Sequence, residues 1–200
     1  GTLFRQWAEA SGSCFTDFIL PHIFGEHGKP FYNSVVSTFS HQLVSGENPT
    51  MQSDGDLNLI HAGRVAELFW EHIEGKTNDQ IRVAGTPMKV SELLETLNRL
   101  WSSYAGGVIP KLQTTLETQL FNTMRSMIVA EHRAIDLTVH ADNRGDLFEA
   151  VREHTGGQVF YSTTKPGITR GDHYHTRKVE RFLVVSGEAE IRLRRVLTGE

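Results

Sequence analysis

The spacing of apolar positions changes character once along this chain. Up to about residue 127, stretches with an apolar side chain at every third or fourth position alternate with short apolar runs, which predicts helices alternating with strands. Leu3, Phe4, Trp7 and Ala8 give a helix over 2–10, with Gly12 placed to end it, and 15–20 reads as a strand stopped by Pro21. Gly25 and Gly28 then mark a loop that carries His22, Glu26 and His27. Further helices are predicted from Asn33 or Ser34 to Gly46, over 64–73, over 91–104 and over 115–127. Short strands are predicted at 57–60 and 81–84.

Beyond about residue 129 no helical period remains. Candidate strands lie at 135–139, 147–151, 158–163 and 189–196, with turns at 142–145 and 156–157. The expected fold is therefore α/β followed by all-β, with one domain over 1–129 and a second over 130–200. The boundary near residue 130 rests on this change of period alone.

Composition narrows the function more than the fold. With 38% hydrophobic and 22% charged residues, the chain has the make-up of a globular domain, and its net charge of −4 argues against nucleic acid or an anionic membrane as partner. No apolar run approaches the ~20 residues that cross a bilayer. Cys14 is the only cysteine, so no intrachain disulfide is possible, and a reducing cytoplasm is the expected location. The chain opens on Gly1 and ends in strand-like sequence, which is expected of a slice of a longer protein.

The chemistry is concentrated between Gly167 and Gly187. His173, His175 and Glu180 are metal-ligating residue types, and an apolar run from Phe182 to Val185 follows them. In an extended segment, side chains two apart share a face at about 6.5 Å, so the two imidazoles converge on one ion. Glu180 joins them if the polar stretch between Thr176 and Val179 reverses the chain, which predicts a hairpin leading into a buried strand. Two histidines and one carboxylate accept zinc, iron, manganese or nickel, either as a Lewis acid or as a tie that holds a barrel together.

The spacing of Gly167, His173, His175, Glu180 and Gly187 resembles the first motif of the cupin family, which implies an incomplete double-stranded β-helix (jelly-roll) barrel and leans to zinc. The stretch Phe18-Ile-Leu-Pro-His-Ile-Phe-Gly25, followed by Lys29-Pro-Phe-Tyr-Asn-Ser-Val-Val36, resembles the C-terminal half of an extended short-chain dehydrogenase of the Rossmann type that acts on a nucleotide sugar. That likeness implies substrate contacts from Pro21, His22, Asn33 and Ser34. Three positions depart from it: Ile19 and His22 replace an arginine and an asparagine, and His61-Ala62-Gly63 replaces an acidic pair.

The two likenesses in one chain, together with Asp142-Asn-Arg-Gly-Asp146 and 162–187, are similar to the bifunctional UDP-2-acetamido-2,6-dideoxy-hexulose reductases of capsular polysaccharide and O-antigen synthesis. This resemblance implies epimerisation of a UDP-linked 4-keto sugar by the cupin part and reduction of the ketone with NADPH by the dehydrogenase part. It further implies a UDP-N-acetyl-L-fucosamine type of product and a homodimer. The Gly-rich phosphate loop is absent, and the Tyr-x-x-x-Lys pair is missing from the dehydrogenase-like part, so no cofactor-binding residue is expected in this piece. Lys165 and Tyr174 flank the metal motif as candidate bases, His154 is a third, and Arg170 is a candidate for the substrate's diphosphate. The histidines at 41, 61, 72, 132 and 140 have no spacing that suggests a site. A sugar-binding module without activity and a metal-dependent cupin oxygenase are the alternatives.

Overall fold

The computed structural model describes residues 1–129, 134–154 and 156–194. Contacts divide the chain into two units, Gly1–Thr163 and Thr164–Glu200. The expected change of domain near residue 130, like His132, falls on 130–133, outside the described residues.

The first unit begins with α1 (Thr2–Ser11), β1 (Thr16–Ile19), β2 (His22–Phe24), α2 (Val35–Val44), β3 (Asp56–His61) and α3 (Ala62–Gly75). It continues with β4 (Asp79–Arg82), β5 (Thr86–Lys89), α4 (Val90–Ala105), β6 (Val108–Ile109) and α5 (Thr115–Arg125). It ends with β7 (His140–Asp142), β8 (Gly145–Glu153) and β9 (Gln158–Ser162). The fold is α/β with mixed sheets, and the described residues form no closed barrel. No described helix is long and apolar enough to cross a membrane.

Three helices enclose the core. Leu93, Leu97 and Leu100 repeat at four and three residues along α4 and are wholly buried, as are Leu120 and Met124 of α5 and Val36 of α2, which is 1% exposed. Each such leucine contributes about 2 kcal/mol by leaving water. Local chemistry fixes the helix starts. Ser34 Oγ accepts from Ser37 N–H at 3.3 Å, Thr114 Oγ1 accepts from Glu117 N–H at 3.1 Å, and the Glu92 carboxylate accepts from Lys89 N–H at 2.8 Å.

Strand pairing departs from expectation at Pro21. The residues 22–24, expected as loop, form β2, because proline interrupts one ladder and the chain resumes in another. β1 runs parallel to β4 with Ile19 opposite Arg82, whereas β2 runs parallel to β3 with Phe24 opposite His61. β3 also pairs antiparallel with β5. In the third sheet β8 pairs with β6, β7 and β9, and a register shift lies between Glu149 and Val151.

Several expected strands do not form. Residues 134–139 and 164–194 carry no strand, and the rest of the candidate at 189–196 lies outside the described residues. The run expected to be buried is exposed, with Leu183 83% and Val185 76% accessible. A β-strand is held by hydrogen bonds to a neighbour, and no described residue supplies one to this run.

Candidate functional site

Within the second unit, positive φ at Gly167 (77°), Gly171 (104°) and Asp172 (58°) turns the backbone ahead of the histidines. Ligand atoms of His173, His175 and Glu180 lie within 4.8 Å of one another. His175 Nε2 stands 3.0 Å from Glu180 Oε1, His173 Nε2 stands 3.9 Å from Glu180 Oε2, and the two imidazole centroids are 4.7 Å apart. A bend at Thr176 and Arg177 lies between the histidines and Glu180, with no strand on either side. All three side chains are partly exposed, His175 least, at 30%. Ligands at about 2.1 Å from a tetrahedral ion sit roughly 3.4 Å apart, so small side-chain rotations close this set on one cation.

The neighbouring candidates are surface residues. Tyr174 is 70% exposed, and Lys165, also exposed, opens a turn in which its carbonyl accepts from Ile168 N–H at 3.2 Å. Arg170 is half-buried. The spacing Tyr-x-x-x-Lys does occur at Tyr161–Lys165 and at Tyr174–Lys178. Neither pair lies on a helix, which is what places residues four apart side by side. In the first unit the third candidate base, His154, meets Ser103 Oγ at 2.8 Å, and that hydroxyl donates to Arg99 O. This contact ties the turn after β8 to α4.

The sugar-pocket candidates of the first unit separate into two places. Pro21 and His22 line a depression of about 560 Å³ together with Ile19, Asn58, Arg82 and Val83. Asn33 and Ser34 stand instead at the start of α2, where Ser34 is the cap and exposed Asn33 adopts a φ of 53°.

Sequence reasoning passed over another pair in this unit, Glu26 and His61. His61 Nδ1 accepts from Gly63 N–H at 3.1 Å and so caps α3, which leaves Nε2–H to donate to Glu26 Oε2 at 2.8 Å. The Glu26 carboxyl is held below its ordinary range by its own backbone amide and then by His61. α3 has no acidic residue of its own in its first turn, where negative charge is favoured, and Glu26 reaches its capping residue from the loop after β2.

Comparison with known proteins bears on both units. Over most of its length the chain is similar to a UDP-sugar reductase. It is 32% identical, over 187 residues and 91% of its length, to the UDP-2-acetamido-2,6-beta-L-arabino-hexul-4-ose reductase of Pseudomonas aeruginosa. The match covers 50% of that protein, so the chain spans about half the length of the curated relative it matches. The capsular polysaccharide assembling protein CapF from Staphylococcus aureus superposes with a TM-score of 0.77 at 26% identity, over 88% of this chain and 49% of that one. A UDP-N-acetylglucosamine 4-epimerase from Methanobrevibacter ruminantium M1 shares the fold at a TM-score of 0.54 and 20% identity, over 64% of this chain and 50% of its own. Residues 140–200 match the family model described as the polysaccharide biosynthesis C-terminal domain.

Proposed function

We propose that this chain is part of an enzyme that modifies a UDP-linked 2-acetamido-2,6-dideoxy-4-keto-hexose for capsule or O-antigen synthesis. Residues 1–129 are the C-terminal part of a nucleotide-sugar dehydrogenase domain, and 130–200 are the N-terminal part of a cupin domain. The observation that carries this reading is the convergence of His173, His175 and Glu180, in a chain similar over most of its length to a UDP-sugar reductase and to CapF.

The donor set fits a divalent metal, zinc foremost: two neutral imidazoles and one carboxylate leave a coordination position open. When bound, the metal supplies Lewis acidity to a carbonyl oxygen. The residues of this chain do the rest. His173, His175 and Glu180 hold the site; one of Lys165 and Tyr174 takes the proton from the carbon beside the ketone, and the other donates a proton to the opposite face of the resulting enolate. Each part is assigned its own substrate contacts: Arg170 in the cupin part, and Pro21, His22, Asn33 and Ser34 in the dehydrogenase part. Reduction of the ketone with NADPH is assigned to no residue here, since no glycine-rich cradle for the pyrophosphate occurs in the sequence. The working assembly is a cytoplasmic homodimer.

The test is a heavy-water exchange assay with a UDP-4-keto sugar, read by mass spectrometry. Deuterium enters beside the ketone with the native chain and not with His173→Ala. Oxygen consumption without exchange would mean an oxygenase, and binding without either would mean a sugar-binding module.

A further inference from the structure

The depression beside Pro21 lies where the chain leaves one sheet for the other. β1 and β4 run parallel and both end there, at Ile19 and Arg82, and ligands of parallel α/β sheets lie outside the carboxyl ends of strands, where neighbouring connections part. Two hydrogen-bond donors line this mouth. Arg82 closes β4 with an exposed guanidinium, and no carboxylate among the described residues pairs with it. His22 opens β2, and its Nδ1 accepts from Asn58 N–H at 3.1 Å. The same nitrogen is 3.3 Å from Asn58 O. The amide always carries its proton, so it settles the tautomer: Nδ1 is bare and Nε2–H is the outward donor.

We propose that Arg82 and His22 form an anion subsite that holds the diphosphate of a nucleotide ligand. A planar guanidinium offers two parallel N–H groups to phosphate oxygens, and the imidazole adds a third donor without needing to be charged. The 560 Å³ depression has room for a diphosphate. The nucleotide identity of the ligand rests on the function proposed above, whereas the anion subsite itself rests on these residues alone.

Calorimetric titration of the full chain with UDP, uridine and inorganic pyrophosphate tests this, using the native sequence, Arg82→Gln and Arg82→Lys. The expected result is that Arg82→Gln weakens UDP and pyrophosphate roughly tenfold or more and leaves uridine unchanged. Arg82→Lys, which keeps the charge without the fork, should fall between. Unchanged thermal midpoints would show that the fold is intact. If the native chain binds UDP and Arg82→Gln binds it equally well, the subsite is overturned while the nucleotide-sugar reading stands. If pyrophosphate binds through Arg82 but neither UDP nor uridine binds better, the subsite stands and the nucleotide reading falls. If the native chain binds none of the three, both are overturned.

Discussion

Gly28 sits where the loop after β2 presses on α2, and its replacement by alanine is expected to destabilise the fold through one atom. A methyl group at Gly28 would overlap Ser37 Oγ, while standing 3.2 Å from Gly25 O and 3.5 Å from Ser37 Cβ. Ser37 is 0% exposed, so its hydroxyl moves only by displacing packed neighbours, and overpacking of this kind costs about 1–3 kcal/mol. Loss of glycine's freedom in the unfolded chain returns roughly 0.4–1 kcal/mol. The net loss is about 1–2 kcal/mol, which at roughly 2–4 °C per kcal/mol lowers the melting midpoint by about 2–8 °C. Ser37 Oγ has no hydrogen-bond partner, so Ser37→Ala alone should be close to neutral, and the double variant should regain the native midpoint. Thermal unfolding followed by circular dichroism on all four proteins closes the cycle. A double variant that melts as low as Gly28→Ala would refute the close-contact argument.

Alanine at His173, His175 or Glu180 is expected to strip divalent metal from the purified protein, while His154→Ala retains it; equal metal content by elemental analysis in native and His173→Ala proteins would remove the site. At the turn between β7 and β8, hydrogen bonds from the Arg144 guanidinium, then from its amide, hold the Asp142 carboxyl at about 2, below its ordinary 3.8. A depressed carboxylate stabilises the fold above its ordinary pKa and stops doing so as pH falls through the folded value. The stability difference between native and Asp142→Asn proteins should therefore hold above about pH 4 and shrink towards pH 2. A difference independent of pH over that range would contradict the assignment. These 200 residues should bind NADPH weakly at best, and a submicromolar dissociation constant by calorimetry would show that a phosphate cradle exists where the sequence has no glycine-rich loop.

What could be read from sequence follows from what each element depends on. The helices were legible because their periodicity is local and strong. Leu93, Leu97 and Leu100 mark the buried face of α4 before any partner is known. The strands at 135–139 and 182–185 were misread because apolar composition is necessary for a strand and insufficient for one, the ladder being completed by a second segment elsewhere. β2 was missed for the converse reason. Proline and two glycines announced a loop, yet three residues between them found the edge of β3.

The same distinction separates the two candidate sites. His173, His175 and Glu180 lie within eight residues of chain, so a bend at Thr176 and Arg177 is enough to gather them, and the convergence appears even where the expected hairpin strands do not. Glu26 and His61 are 35 positions apart, and Ile19 and Arg82 are 63 apart. Spacing cannot relate such pairs; strand register does. Phe24 lies opposite His61, so Glu26, two residues on, reaches its ring, and Ile19 lies opposite Arg82, so a guanidinium on β4 reaches the mouth that the β1 side chain leaves apolar.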